Sequence, residues 1–370
     1  MGRVFYGKHE IRVASCAPGV VVGRTVRLTT SLWDCGSPGI ERLMASLPAM
    51  SAVDFPDSWP RVILKARREN EMEPDDTGSL TTAEPPKRWQ TVFGSRMAYA
   101  EAGRGAPVVF LHGNPASSYI WRNIIPLVSP LARCVAPDLL GMGDSDKLDG
   151  EDPLRYGFLA QRRFLDRFLI ELGLSENVVL VGQDWGGALA LDWACRHPAQ
   201  TRGVVYFETF VRPRTWNEMD PAVRHIFQRL RSPEGEEMVL RDNVFIENMF
   251  EDRILRPLSV AEMAVYRRPY LRPGEDRRPT LTLPRELAVD GEPAHMVRII
   301  ETYASALATS DIAKLFINGD PGAILVGELR EFCRTWRNQR EVTVRGKHFL
   351  QEDSPAEIGQ AIAQWLAGLP

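Results

Sequence analysis

The run Gly182-Gln183-Asp184-Trp185-Gly186-Gly187 places a carboxylate where it can react. An all-apolar run, Val178-Val179-Leu180-Val181, reads as a buried strand leading in. An apolar helix, Ala188 to Cys195, leads out and ends near His197-Pro198. Glycines at this spacing permit a bend so tight that a Cβ would clash, and the central side chain is pushed out at the sheet's carboxyl edge. The helix N-terminus beneath it favours negative charge. The plainer alternative, Asp184 as a simple N-cap, does not account for the flanking glycines. A carboxylate nucleophile attacks saturated carbon and forms an alkyl ester, which water then cleaves. That suits carbon–halogen bonds and epoxides, not ester or peptide bonds.

Three further groups complete the chemistry. His112-Gly113-Asn114-Pro115 follows the apolar run Val108-Val109-Phe110-Leu111. That loop supplies an oxyanion N–H opposite such a nucleophile. The Asn114 amide and the Trp185 indole N–H are neutral donors, suited to an anion that leaves from an apolar pocket. His112 reads as structural. His348 lies four residues past the last strand expected, Val342-Thr343-Val344, and is the candidate base. His9, His197, His225 and His295 do not fall at this edge. Two acids compete to orient His348: Glu208, ending Val204-Val205-Tyr206-Phe207, and Asp320, ending the strand Leu315-Phe316-Ile317. Glu208 is favoured, because Asp320 sits among Gly319, Pro321 and Gly322 and reads as turn chemistry.

The elements that must hold these residues read as one α/β domain. Residues 1 to 80 show no sustained period, and Glu71 to Gly78 is a polar linker, so an N-terminal extension of poor order is expected. Met72 is a candidate natural start. Trp89–Phe93 and Arg96–Ala100 pair as an antiparallel entry. Buried strands then alternate with helices such as Phe158–Leu172, which implies a mostly parallel sheet. The alternation lapses over 212–293, read as an inserted helical cap, so the core comprises 81–211 and 294–370. Alternation resumes through Glu328–Arg334 to a closing helix, Ile358–Leu366.

Composition narrows the function. The chain has 370 residues, 44% hydrophobic and 25% charged, with net charge −3. This offers no nucleic-acid or anionic-membrane surface. No apolar run approaches the ~18 residues of a membrane span. Charged residues before Val13-Ala14-Ser15-Cys16 deny it the apolar run of a lipoprotein signal. The cysteines, at 16, 35, 134, 195 and 333, are scattered without a paired motif. They point to a reducing, cytoplasmic setting and to no metal site. A monomer without cofactor is expected.

At these residues the chain closely resembles the haloalkane dehalogenases of the α/β-hydrolase fold, from about residue 80 to the end. It looks most like those with an Asp–His–Glu triad and an Asn–Trp halide pair. The matching stretches include Gly113-Asn114-Pro115, Pro137 to Lys147, the elbow at Asp184, Asn243 to Glu247, Gly274 to Leu281 and His348 to Asp353. The resemblance implies Asp184 as nucleophile, His348 as base and Glu208 as third acid, with Asn114 and Trp185 as halide donors. It further implies halide contact at Pro284 and a pocket or tunnel lined by Phe227, Phe245, Leu287, Ala323 and Ile324. The substrate implied is a halogenated alkane. Residues 1 to 75 have no counterpart in that family. Gln183 replaces a more usual His, with no loss of chemistry expected since that side chain need not face the substrate, and Leu283 replaces a common Trp. The alternatives are an epoxide hydrolase, with Tyr266 as one of its acids, and a coelenterazine-type luciferase monooxygenase. A non-catalytic binding protein has no need of Asp, His and Glu together.

Overall fold

The computed structural model describes residues 80–369 and the backbone of a hairpin, β1 (Ile11–Ala17) and β2 (Val20–Val26). That hairpin is strand pairing where the sequence shows no period. The expectation of poor order for the rest of residues 1 to 80 lies outside the described residues. The chain divides into two compact units, Met1–Glu73 and Pro74–Pro370.

The second unit is built on eight strands: β3 (Lys87–Val92), β4 (Ser95–Ala102), β5 (Pro107–Leu111), β6 (Arg133–Pro137), β7 (Val178–Asp184), β8 (Thr201–Thr209), β9 (Ala313–Pro321) and β10 (Gln339–Gly346). Their order is β10-β9-β8-β7-β5-β6-β4-β3, with β4 alone running against the others. Central strands read as unbroken apolar runs because both faces are covered. Along β5, Val108 and Phe110 pack into one core while Val109 and Leu111 pack into the other. The same alternation divides Val178 and Leu180 from Val179 and Val181 in β7. Helices Phe158–Glu171, Trp185–Arg196 and Ala294–Thr309 bury their apolar residues in the first core. Helix Pro355–Ala367 packs into the second.

β5 and β7 are neighbours although β6 lies between them in sequence. Here the winding of the sheet reverses, which opens a crevice at the carboxyl ends of these strands. Residues 212–293 form helices and short helical turns with a small cluster of their own: Leu230, Met238, Val239, Phe245 and Leu281. Among the described residues no helix is long and apolar enough to cross a membrane.

Candidate active site

Asp184 ends β7 and caps helix Trp185–Arg196 with φ 55° and ψ −127°, a backbone region that L-residues seldom occupy. The bend survives because its neighbours lack side chains. A Cβ on Gly186 would lie 2.1 Å from the Leu111 carbonyl oxygen, and one on Gly182 would lie 2.4 Å from that of Gly186. The Thr209 hydroxyl donates to the Asp184 carbonyl at 2.6 Å and ties the bend to β8. Strain held in place at a reactive position is characteristic of functional sites.

The Asp184 carboxylate is 6% exposed. The Asn114 backbone N–H donates to its Oδ1 at 2.9 Å, and the Trp185 backbone N–H also donates to it. Burial pushes the carboxyl above its ordinary range; His348 and the two N–H groups draw it partly back. The loop after β5 thus faces the elbow that ends β7.

His348 Nε2 stands 3.6 Å from Asp184 Oδ2, and its Nδ1 stands 3.4 Å from Glu208 Oε2. Glu208 reaches this position through a bulge. Gln183 pairs with Phe207 and Asp184 with Thr209, so Glu208 is the extra residue, with φ 44°. A bulge re-aims a side chain in this way. The fully buried carboxylate then accepts N–H groups from Ala323 (3.0 Å), Ile324 (2.7 Å) and Leu325 (3.3 Å). Asp320, the competing acid, is exposed.

One cavity of about 130 Å³ is lined by Asn114, Asp184, Trp185, Pro284 and His348. Phe227, Phe245, Leu287, Ala323 and Ile324 line it as well, so the expected pocket residues are brought together. Ala323 and Ile324 have a second part in the site, since their backbone N–H groups hold Glu208. The Asn114 amide nitrogen has only a long contact, 3.5 Å to the Thr280 carbonyl, and the Trp185 indole N–H has no acceptor among the described residues. Both remain able to donate to an anion in the cavity.

Several contributors are not foreseen from sequence. Phe210, Arg214, Met219, Asp220, Phe250 and Arg253 also line the cavity. Their signal is weak, because they come from loops and cap turns whose packing no period reveals. Gln183 does not line the cavity, but its amide nitrogen lies 3.0 Å from His348 Nε2 and donates to the His348 carbonyl at 3.1 Å. The residue therefore packs directly against the imidazole. His112 is buried: the N–H of Leu139 donates to its Nε2, and its Nδ1 bonds the Gly113 carbonyl. Burial lowers its pKa to about 4. Tyr266 does not line the cavity; its hydroxyl donates to the buried Glu352 carboxylate.

A wound sheet with a carboxylate at its strand–helix elbow, and an imidazole and a second carboxylate at the same edge, defines an α/β hydrolase. A family model described as the alpha/beta hydrolase fold matches residues 106–355. The chain is 52% identical to a haloalkane dehalogenase of Sphingobium indicum, over 76% of this chain and 96% of that protein. It is 50% identical to one from Mycolicibacterium smegmatis, over 75% of this chain and 90% of that protein. Among solved structures it is similar to haloalkane dehalogenase DbeA from Bradyrhizobium elkani. There the TM-score is 0.73 and the identity 44%, covering 76% of this chain and 98% of that one. DatA from Agrobacterium tumefaciens matches with TM-score 0.72 and 36% identity, over 77% and 98%. The chain belongs to the haloalkane dehalogenases.

Proposed function

We infer that this enzyme hydrolyses haloalkanes to an alcohol and halide through an alkyl ester on Asp184. A single observation supports the residue roles: a buried carboxylate, an imidazole and two neutral N–H donors, neither held in a short hydrogen bond, share one largely apolar cavity.

Asp184 attacks the halogen-bearing carbon, and the carbon–halogen bond breaks with its electron pair leaving on the halide. The Asn114 amide and Trp185 indole N–H stabilise that charge as it grows, which helps the transition state more than the ground state. His348 takes a proton from water, and the hydroxyl adds to the Asp184 carboxyl carbon. The backbone N–H groups of Asn114 and Trp185 stabilise the oxyanion, each such donor being worth ~3–4 kcal/mol. The intermediate collapses, the alkoxide leaves with the proton from His348, and the Asp184 carboxyl ionises to release the net proton. Glu208 fixes the imidazole's tautomer and stabilises its charged form. Pro284 lies against the departing halide. Phe227, Phe245, Leu287, Ala323 and Ile324 enclose the alkyl chain. Residues 212–293 act as a cap over the crevice.

The scheme needs no cofactor, and the free cysteines 134, 195 and 333 suit a reducing compartment such as the cytoplasm; the enzyme is taken to act as a monomer. Asp184→Ala is expected to abolish halide release. His348→Phe is expected to release one equivalent of halide and then stall as an alkyl-enzyme. Intact-mass spectra of that variant with no adduct, after exposure to a substrate the wild type turns over, would overturn the scheme.

A further inference from the structure

The cavity is not uniformly apolar. Asp184 and His348 mark its reaction end, Phe227, Phe245 and Leu287 form apolar wall, and two arginines, Arg214 and Arg253, also line it. Arg214 lies in the loop after β8. Arg253 closes the short turn Glu251–Arg253, and its carbonyl accepts the His348 N–H at 3.1 Å.

Neither guanidinium makes an ion pair at contact distance with a described carboxylate, although Glu218 and Glu208 lie near enough to Arg214 to offset part of its charge. Arg214 Nη2 donates only to the Glu218 carbonyl, at 2.7 Å, and its Nε is buried without an acceptor. Burial and the neighbouring Arg212 lower the Arg214 pKa, while Glu218 and Glu208 act to raise it. The Arg253 guanidinium donates no hydrogen bond to a described residue and is partly exposed. Asp220 also lines the cavity, but its Oδ1 accepts the Ala222 and Val223 N–H groups and so caps helix Pro221–Arg231. A plain alkyl halide leaves the Arg253 cation unmatched and the Arg214 Nε without an acceptor.

We propose that Arg214 and Arg253 form an anion subsite, so that the enzyme accepts haloalkanes bearing a carboxylate at the far end of the chain. The proposal rests on the dehalogenase reading and names a substrate class for it. The halogen-bearing carbon meets Asp184, the methylenes run along the apolar wall, and the carboxylate pairs with the guanidinium groups. The bonds made and broken are those of the established reaction: Asp184 oxygen to carbon forms, carbon to halogen breaks, and hydrolysis yields a hydroxycarboxylate, halide and a proton.

The test compares kcat/KM for ω-bromohexanoate with that for ω-bromohexanol, in the wild type, Arg253→Gln, Arg253→Glu and Arg214→Gln. The ratio is the readout, so a general loss of fold or activity cancels. Partly exposed pairs give modest effects, so each glutamine variant is expected to lower the ratio by about 3–5-fold, with a larger drop for Arg253→Glu. Salt is expected to lower the wild-type ratio and leave that of Arg253→Glu less affected. A ratio equal in all four proteins, at low and high salt, overturns the subsite. Absence of bromide release from ω-bromohexanol in the wild type would instead sink the underlying dehalogenase reading.

Discussion

In the proposed mechanism Asp184 must be ionised to attack, yet burial raises its pKa. The protonated form therefore persists to higher pH than in a solvated aspartate. The acid limb of kcat/KM for a neutral haloalkane is expected above the ordinary carboxylate value of 3.8, and a pH–rate profile checks it. His112 shows the opposite balance. Its native pKa of about 4 lies below the ordinary imidazole value of 6.5, so the unfolded chain binds the proton first. Its contribution to stability is complete above pH ~6.5 and is lost as pH falls toward ~4. The loss amounts to about 3 kcal/mol for a shift of this size. His112→Asn should be less stable at neutral pH and flatter across that window, as urea unfolding at several pH values would show.

At the scale of elements, the site depends on two local distortions: the elbow ending β7 and the bulge in β8. Gly186→Ala drives a Cβ into the Leu111 carbonyl at 2.1 Å, so β5 and the helix must separate. Overpacking of this kind typically costs ~1–3 kcal/mol, and turnover should fall with it because Asn114 follows β5. Gly94→Ala is the matched control: φ is +84° but nothing lies within 4 Å, so only backbone strain of ~1 kcal/mol is expected. Thermal unfolding and halide release on the two variants separate steric from conformational loss. The elbow's glycines are readable from sequence because close approach excludes every other residue. The β8 bulge carries no such signature. Glu208 can be nominated from the end of its strand, but the turn after β9 that holds its carboxylate cannot.

Across the whole molecule, a buried ionic network joins the loop after β5, the cap and the loop bearing His348. Arg122 bonds Glu352 at 2.6 and 2.8 Å and Glu262 at 2.7 Å, while Arg256 bonds both acids and Tyr266 donates to Glu352. Glu352 lies four residues past His348, so the network anchors the loop that carries the imidazole. Removing one partner of a buried pair leaves an uncompensated charge, which costs about 3–5 kcal/mol. Arg122→Met is expected to destabilise by that order and to lower turnover at temperatures where it stays folded. Denaturant midpoints, together with halide release from the folded variant, provide the check. Unchanged values in both would show that the network does not support the site.

Short-range patterns carried the chemistry. The glycine-flanked Asp184, the apolar runs of β5, β7 and β8 and the His348 loop are legible because each is fixed by sterics and burial within a few residues. From them came the winding sheet, the inserted helices and the family. Long-range packing decided the rest. The sequence favours Glu208 over Asp320, but only the fold aimed its carboxylate at the imidazole, turned Gln183 onto His348, and brought Arg214 and Arg253 into the cavity. Those outcomes depend on which distant segments meet, and a linear pattern holds no record of such meetings until burial of apolar surface brings the segments together.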